Sequence, residues 1–282
     1  MEVVRTKSEL QKIIKGLKSR EVKIGYVPTM GYLHEGHLSI VRESKKQSDF
    51  TVMSIFVNPV QFNDPKDYEN YPKNYDGDLK KCEAEKVDLV YLPTVGEFYP
   101  AGIPKIDMKI PHLMKNLCGR TRPGHFEGVM LVLSRFFHSI EPDIAFFGKK
   151  DYQQYTIVKE MARSLDFPVE IAGVDTVRES DGLAMSSRNA RLNQAEREAA
   201  SLIPRALRIA EQQILKGEKN SSAIIEIIRD VINSSPLLKE DYIEIVDPDD
   251  LSGLTEIQKD ALVAVAVFSG NVRLIDNKLI RL

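Results

Sequence analysis

The chain has 282 residues, of which 43% are hydrophobic and 28% are charged, a composition typical of globular proteins that excludes a disordered or fibrous chain. Its formal net charge of −2 argues against nucleic acid as the main partner, because nucleic-acid-binding domains usually carry a clear basic surplus. The length allows two domains of ordinary size, each with its own hydrophobic core.

No targeting segment is expected. The first residues lack a basic stretch followed by an apolar run, so no signal peptide is predicted. The longest apolar stretch, residues 261–268, is too short to span a membrane. The two cysteines, Cys82 and Cys118, lack metal-ligand spacing and are typical of reduced thiols. We therefore expect a cytoplasmic protein that binds neither membrane nor nucleic acid.

Apolar, β-rich runs alternate with helical stretches up to about residue 175. Strands are predicted at residues 22–29, 50–58, 87–92, 143–147 and 169–174, and helices at 36–47, 76–85, 128–139 and 152–165. Apolar strands that alternate with helices predict an α/β fold with a doubly wound, Rossmann-like parallel sheet. In such a sheet the ligand crevice lies beyond the carboxyl ends of the strands.

The pattern changes after this sheet. A polar segment at 175–192 is followed by two predicted helices and three short predicted strands, at 194–215, 221–233, 242–246, 261–268 and 272–276. Helices followed by a small antiparallel sheet predict a second domain. We expect one domain at 1–175 and a smaller C-terminal α+β domain at 176–282.

The segment 28–37 reads Pro-Thr-Met-Gly-Tyr-Leu-His-Glu-Gly-His, follows the first long strand and begins a helix. The free N–H groups and the positive dipole end at the start of a helix favour phosphate binding. Gly31 and Gly36 have no Cβ, so a polyphosphate can approach the backbone. His34 and His37 share one helix face, where both imidazoles can donate hydrogen bonds to phosphoryl oxygens. Structural histidines are the alternative. A zinc site is disfavoured, because it needs a spacing of four residues and a third ligand.

The segment 56–62 ends the second predicted strand and contains Gln61. A neutral amide can orient a carboxylate nucleophile by hydrogen bonds without damping its charge as an arginine does. The alternative is a strand-end turn at Asn58 in which Gln61 is merely exposed.

The segment 148–154 follows the next predicted strand of the same sheet. One of its lysines can bind phosphate, Asp151 can accept from ribose hydroxyls, and Gln153 and Gln154 can contact substrate. A solvated helix start capped by Asp151 is the alternative.

Two further segments carry cations. Residues 181–189 place hydroxyls and Arg188 on a polar loop at the predicted domain junction, which suits a leaving pyrophosphate but also an ordinary serine-rich linker. Arg122 and His125 add a cation and an imidazole before a predicted helix.

Together these segments resemble the pantothenate synthetase (pantoate–β-alanine ligase) family over essentially the whole chain. The motifs are Pro-Thr-Met-Gly-x-Leu-His-x-Gly-His at 28–37, Phe-Val-Asn-Pro-x-Gln-Phe at 56–62, Arg-Pro-Gly-His-Phe at 122–126, Gly-x-Lys-Asp-x-Gln-Gln at 148–154 and Asp-Gly-Leu-Ala-Met-Ser-Ser-Arg-Asn at 181–189. The His-x-Gly-His alone indicates only the wider nucleotidyltransferase superfamily, which includes class I aminoacyl-tRNA synthetases. One departure is Lys73 and Asn74, which stand where Arg and Thr are expected.

The resemblance implies an ATP-dependent ligase that converts pantoate to pantoyl-adenylate and transfers the acyl group to β-alanine, giving pantothenate, AMP and pyrophosphate. It implies a homodimer, with Mg²⁺ accompanying ATP. The implied catalytic residues are His34, His37, Lys150 and Arg188, with His37 as the general acid toward the phosphates, supported by His34. The implied ATP contacts are Met30, Gly31, Tyr32, Leu33, His34, Glu35, Gly36, His37, Gly148, Lys149, Lys150, Asp151, Val177, Met185, Ser186, Ser187 and Arg188. Pantoate is assigned to Gln61, Gln154 and Arg122, β-alanine to Gln61, and Asp78 is the expected protein ligand near the magnesium ion.

Three rival functions stay open. A nucleotidyltransferase leaves the adenylyl group on its product, whereas Gln61 and Gln154 favour a carboxylic acid acceptor. A non-catalytic nucleotide sensor has no need of the histidine, lysine and arginine set. An RNA-binding synthetase relative is expected to carry an appended basic domain, which this sequence lacks.

Overall fold

The computed structural model describes all residues from 1 to 282, and it divides into two compact units. The first unit comprises Met1–Lys109, Arg122–Lys149 and Ile157–Asp175, and the second comprises Ile110–Thr121, Lys150–Thr156 and Thr176–Leu282. The two short segments of the second unit interrupt the first in sequence, which no sequence pattern indicated. The predicted assignment of functions to a domain at 1–175 and another at 176–282 stays a prediction.

A six-stranded parallel sheet forms the centre of the first unit. Its strands are β1 (Glu2–Val4), β2 (Ile24–Thr29), β3 (Phe50–Ile55), β4 (Leu89–Tyr91), β5 (Ile144–Gly148) and β6 (Glu170–Val174). Their order across the sheet is β1-β4-β3-β2-β5-β6, so the chain runs outward from β2 to one side and then resumes beside β2 with β5. This reversal is the switch point of a doubly wound sheet, and it confirms the predicted fold class.

Twelve α-helices accompany the strands of the two units. They are α1 (Lys7–Lys18), α2 (Glu35–Gln47), α3 (Pro65–Glu69), α4 (Tyr75–Ala84), α5 (Val95–Phe98), α6 (Pro111–Met114), α7 (Leu117–Thr121), α8 (His125–Ile140), α9 (Tyr152–Ser164), α10 (Gln194–Ala200), α11 (Leu202–Leu215) and α12 (Ser221–Asn233). None of them is long and apolar enough to cross a bilayer.

The core of the first unit explains why its strands read as unbroken apolar runs. Side chains from β2, β3, β4 and β5 form one cluster with residues of α2 and α4, including Val27, Met53, Val90 and Phe146, which are at most 1% exposed. A strand whose two faces are both covered has no position that favours a polar residue. Burial in this cluster also raises the pKa of the Cys82 thiol to about 12, so the thiol stays protonated at neutral pH.

The second unit contains a three-stranded antiparallel sheet. Its strands are β7 (Leu238–Val246), β8 (Ala261–Ser269) and β9 (Val272–Ile280), in the order β7-β8-β9. The central strand β8 is apolar and buried along nearly its whole length. Helices α10, α11 and α12 supply most of the other side chains of its core, and Leu183 and Ile257 complete it. This is the predicted helices-plus-antiparallel-sheet arrangement.

Several element predictions differ from the structure. The strands predicted at 242–246 and 272–276 extend over Leu238–Val246 and Val272–Ile280, and helix α1 was not predicted. The single helix predicted at 194–215 is two helices that meet at Ser201. Pro204 accounts for the break, because it has no N–H to donate to the carbonyl of Ala200. Strand β1 was not predicted at all, since three residues are too few to show a period.

Candidate active site

Two of the predicted motifs lie at the switch point of the parallel sheet. Segment 30–37 follows Thr29 at the end of β2, and Lys149 follows Gly148 at the end of the neighbouring strand β5. The carboxyl ends of parallel strands meet at one edge of the sheet, so both motifs lie where such sheets bind ligands. Within the first unit the topology therefore places segment 30–37 at the same edge of the sheet as Gly148 and Lys149.

The loop after β2 makes a tight left-handed turn that is held by helix α4. Gly31 and Tyr32 have φ values of +85° and +53°. The backbone N–H groups of Tyr32 and Leu33 donate to the two carboxylate oxygens of Asp78 at 2.8 and 2.7 Å. The ammonium of Lys81 donates to the Leu33 carbonyl oxygen. A Cβ on Gly31 would lie 3.0 Å from the Asp78 carboxylate, so both its backbone conformation and the available space require glycine.

The two histidines of the motif cap helix α2 with their own side chains. Nδ1 of His34 accepts from the N–H of Gly36 at 3.1 Å, and Nδ1 of His37 accepts from the N–H of His34 at 3.3 Å. The ring centroids are 4.1 Å apart. A neutral imidazole whose Nδ1 accepts must carry its proton on Nε2. Both rings are therefore Nε2–H donors, and the N–H groups of His34 and Gly36 are used inside the protein.

Glu35 lies between the two histidines in sequence but pairs with a residue outside the motif. Its carboxylate forms an ion pair with Arg42 on the exposed side of α2, and Arg42 also binds Glu85. The structure therefore gives Glu35 a surface role, and its predicted contact with ATP stays a prediction.

Gln61 is buried, so the interpretation as an exposed turn residue is wrong. It ends the short 3₁₀ helix Pro59–Gln61 and is 8% exposed. Its Oε1 accepts from Asn58 Nδ2 at 3.2 Å, and its Nε2 lies 3.1 Å from the sulfur of Met30, to which it donates. The Asn58 contact fixes which end of the Gln61 amide is the donor. The amide is thus oriented next to the first residue of the loop that carries the histidines.

A further set of buried groups holds this glutamine in place. Asn58 is 1% exposed, accepts from the Tyr99 hydroxyl at 2.9 Å and donates to the carbonyl of Gly128 at 3.1 Å. Burial raises the pKa of Tyr99 to about 12, which keeps its hydroxyl a donor. Helix α8 approaches so closely that a Cβ on Gly128 would lie 2.6 Å from the backbone of Val60.

Arg122 is linked to Gln61 through His125. Its Nη1 lies 3.1 Å from Nε2 of His125, and Nδ1 of His125 lies 2.8 Å from the backbone oxygen of Gln61. Because a guanidinium only donates, Nε2 of His125 accepts and its Nδ1–H donates to Gln61. The sequence indicated Arg122 as a pantoate ligand, but it gave no sign that His125 connects it to Gln61.

The lysine that follows β5 pairs with an acid of the same unit. Nζ of Lys149 lies 2.8 Å from the carboxylate of Asp175, which is 90% exposed. A pair this accessible to water contributes little to stability.

In the second unit the two adjacent glutamines have different environments. Gln153 is 5% exposed, donates to the carbonyls of Leu113 and Asn116, both at 2.8 Å, and accepts from the N–H of Gly119 at 3.2 Å. All its polar atoms are used to fix the segment Ile110–Thr121, so it is a structural residue. Gln154 is half-buried and is the remaining candidate for substrate.

Lys150 begins the segment Lys150–Thr156, which contains both glutamines, and its backbone is held by a hydrogen bond. Its carbonyl accepts from Nδ2 of Asn277 at 2.8 Å, and its ammonium lies 3.8 Å from the carboxylate of Asp151. Strand β9 therefore sets the position of the lysine's main chain.

The segment after β6 is an anchored hairpin rather than a linker. Arg178 binds Asp276 of β9 with two hydrogen bonds of 2.7 and 2.9 Å, and Arg197 binds both Glu179 and Asp181 at 2.6 Å. Hydrogen bonding to Arg197 lowers the pKa of the Asp181 carboxyl below its ordinary value. These buried and half-buried ion pairs contradict an ordinary serine-rich linker.

The predicted ATP contacts of this hairpin lie on its second half. The N–H of Met185 donates to the carbonyl of Val177 at 3.0 Å, which joins the two predicted residues across the hairpin. Ser186 caps the following 3₁₀ helix by accepting from the N–H of Arg188 at 3.2 Å, and Ser187 is 7% exposed. Ser186 thus holds the backbone that carries Arg188.

The side chains do not fit a magnesium ion held by the protein. Asp78 is 1% exposed, and both of its oxygens accept backbone N–H groups. No group of three or more histidine, cysteine, aspartate or glutamate residues is arranged to hold a metal.

Comparisons with a family model and with known proteins match nearly the whole chain. A family model described as Pantoate-beta-alanine ligase matches residues 2–279. Pantothenate synthetase of Leptospira interrogans (serogroup Icterohaemorrhagiae serovar Lai) is 53% identical over 98% of this chain and 97% of its own. The crystal structure of pantothenate synthetase from Thermus thermophilus is 39% identical, with a TM-score of 0.93 and 99% of both chains covered.

A third similar protein carries ligands in its crystal. Pantoate-beta-alanine ligase from Francisella tularensis, complexed with beta-gamma ATP and beta-alanine, is 31% identical, with a TM-score of 0.82 and coverage of 99% of this chain and 97% of that one. The match of the family model to nearly the whole length, together with relatives more than 50% identical, identifies the family. This chain belongs to the pantoate-beta-alanine ligase family.

Proposed function

We propose that this chain joins pantoate to β-alanine, the reaction of its family, in two steps through a pantoyl-adenylate, with ATP converted to AMP and pyrophosphate. One observation carries the proposal: the buried Gln61 amide contacts Met30, the first residue of the loop that leads to His34 and His37. A group suited to a carboxylic acid and groups suited to phosphate thus adjoin at the sheet's switch point.

In the first step the pantoate carboxylate attacks the α-phosphorus of MgATP, and the bond from that phosphorus to the β-phosphate bridging oxygen breaks. Negative charge then develops on the leaving pyrophosphate. Donors fixed in advance stabilise such charge without having to reorient. We assign this role to the Nε2–H groups of His34 and His37, whose rings are held by their Nδ1 hydrogen bonds.

This assignment makes His37 a hydrogen-bond donor rather than the general acid that the resemblance implies. An acid role requires a protonated imidazole, whose Nδ1–H would point at the N–H of His34. Two donors facing each other are unfavourable, so the capped helix start favours the neutral ring. A neutral ring donates from Nε2 without giving up its proton.

Gln61 orients the pantoate carboxylate, and Arg122, linked to Gln61 through His125, supplies the cation of the acid pocket. Gln154 is assigned to pantoate as well. Lys150 and Arg188 are assigned to the phosphates, together with the other predicted ATP contacts that the resemblance implies. Positioning of this kind converts a bimolecular reaction to one between groups already aligned.

In the second step the amine of β-alanine attacks the acyl carbon of the adenylate. The new C–N bond forms as the C–O bond to AMP breaks, and the nitrogen releases a proton. We assign β-alanine to the region of Gln61, where the pantoyl group of the adenylate intermediate is still bound. No covalent bond to the enzyme is needed in either step. We also propose that the protein acts in the cytoplasm as a homodimer, as the family resemblance implies.

The decisive experiment is incubation with MgATP, pantoate and β-alanine, followed by mass spectrometry for pantothenate and AMP. Omission of β-alanine should still allow labelled pyrophosphate to exchange into ATP when pantoate is present. Exchange that strictly required β-alanine would exclude the two-step route. An adenylylated product without free AMP would indicate the nucleotidyltransferase, and ATP binding without turnover would indicate the sensor.

A further inference from the structure

The Asp78 carboxylate is buried, where an unpaired charge has a high free-energy cost. It is 1% exposed, and it accepts one backbone hydrogen bond on each oxygen, from Tyr32 at 2.8 Å and from Leu33 at 2.7 Å. A buried carboxylate is tolerated when hydrogen bonds replace its water, and such charge-assisted bonds are stronger than neutral ones. The carboxylate and the loop therefore stabilise each other.

The loop itself has the shape of an anion site. Gly31 and Tyr32 both have left-handed backbone conformations, so the N–H groups of Tyr32 and Leu33 converge on one point. Successive N–H groups that converge in this way form an anion-binding nest. Here the nest already contains an anion that belongs to the protein. These two N–H groups are therefore not the phosphate donors, and the carboxylate oxygens are not directed at a metal ion.

Helix α4 holds the loop at a second point as well. Lys81 lies three residues after Asp78, on the same helix face, and donates to the carbonyl of Leu33. Leu33 thus donates its N–H to Asp78 and accepts a hydrogen bond at its C=O from Lys81, and both partners belong to helix α4. Because Leu33 directly precedes His34, this clamp fixes the point at which α2 begins.

We propose that Asp78, assisted by Lys81, is a positioning residue for adenylate formation: it holds the 30–33 turn so that the imidazoles of His34 and His37 are aligned, and it does not bind magnesium. The proposal rests on the function proposed above. It replaces the expected metal role of Asp78 with a role in the geometry of the loop. The disagreement between the buried, doubly bonded carboxylate and a metal ligand is the observation behind it.

The test compares Asp78→Asn with Asp76→Asn. The amide of the first variant can accept from one N–H but turns an NH₂ group toward the other. The second variant removes the same charge from an exposed position in the same helical turn. For both proteins we would measure pyrophosphate exchange with pantoate, the Mg²⁺ concentration that gives half-maximal rate, thermal unfolding, and backbone amide hydrogen exchange without substrates.

For Asp78→Asn we expect amide exchange at Tyr32 and Leu33 to be at least about tenfold faster, and pyrophosphate exchange to be at least about tenfold slower at saturating ATP, because charge-assisted bonds are lost. The half-saturating Mg²⁺ concentration should change by less than about twofold, since no metal ligand is removed. Asp76→Asn should match the wild type in every measurement.

A higher Mg²⁺ requirement, with the rate recovered at high Mg²⁺, would overturn the proposal in favour of a metal ligand. Unchanged amide exchange and unchanged rate would overturn it as well. Should Asp78→Asn not fold, Lys81→Met tests the same clamp from an exposed position and should still slow pyrophosphate exchange. Amide exchange is measured without substrates, so a wild-type protein that makes no pantothenate would refute the proposed function and leave the loop result separate.

Discussion

Nδ1 of His37 lies 3.3 Å from the backbone nitrogen of His34 and accepts its hydrogen bond, so the second histidine of the motif caps the helix that begins after the first. Its Nδ1 is thereby removed from the chemistry, and only Nε2 can face a substrate. The motif therefore combines helix capping and ligand binding in the same two side chains.

Replacement of His37 should separate hydrogen-bond donation from proton transfer. We expect His37→Ala to bind ATP within a few-fold of wild type but to form pantoyl-adenylate about 100- to 1,000-fold more slowly, as when one fixed donor to a transition state is removed. Glutamine places an N–H near the position of Nε2, whereas asparagine places one near Nδ1. His37→Gln should therefore be faster than His37→Asn in pyrophosphate exchange. Near-wild-type rates in all three variants would make His37 purely structural.

Replacement of Gln61 should raise the KM for pantoate but leave the binding of ATP nearly unchanged. Loss of its oriented amide in Gln61→Ala should raise the KM for pantoate at least about tenfold, because the substrate carboxylate loses a buried partner. Gln61→Glu has nearly the same shape but repels a carboxylate, and should be worse. Steady-state kinetics with each substrate varied, alongside ATP binding by calorimetry, would measure both effects. Equal losses for the two substrates would indicate a general structural fault.

Gln153 and Gln154 provide a matched pair of adjacent variants. Gln153→Ala breaks three hydrogen bonds of a buried side chain and should lower the free energy of unfolding by roughly 2–4 kcal/mol. Gln154→Ala should leave stability within about 0.5 kcal/mol of wild type but raise the KM for pantoate. Denaturant unfolding and steady-state kinetics on both proteins would distinguish them. The reverse pattern would exchange their assignments.

The ion pairs of Arg197 predict a specific dependence of stability on pH. Arg197 lowers the pKa of Asp181 in the folded protein, and an acid of this kind stabilises the fold above its unfolded pKa and loses that contribution as the pH falls through its folded value. Arg197→Met should therefore lower the free energy of unfolding by about 1 kcal/mol at pH 7, and the difference should shrink below about pH 4.

Arg205→Met is the control for this prediction, because Arg205 is exposed on helix α11. Unfolding curves at several pH values would measure both variants. A difference for Arg197→Met that stayed constant from pH 7 to pH 3 would show that its effect does not come from Asp181.

Local sequence patterns were sufficient to predict the fold class and to locate the segments that carry the candidate site. The parallel strands are unbroken apolar runs because both of their faces are covered, and the motif at 28–37 could be located because a short loop there joins the end of a strand to the start of a helix. Both features lie within a short stretch of sequence, so their period and composition can be read directly.

The supporting contacts could not be predicted, because they join residues far apart in the chain. Asp78 and Leu33 are 45 residues apart, and His125 and Gln61 are 64 apart. Nothing in the sequence near Gln153 distinguishes its buried, fully bonded amide from the half-buried one of Gln154. Which face of a helix start meets another segment depends on the packing of the whole unit, and no local period records it.

Gly128 shapes the acid pocket by having no side chain. Its backbone lies so close to Val60 that any Cβ would collide with the main chain that leads to Gln61, and a collision with backbone cannot be relieved by rotating a side chain. Even alanine would have to push the 3₁₀ turn and its glutamine away from helix α8. In a saturation library selected for growth without added pantothenate, position 128 should therefore retain glycine almost alone, although it touches no substrate in the scheme above.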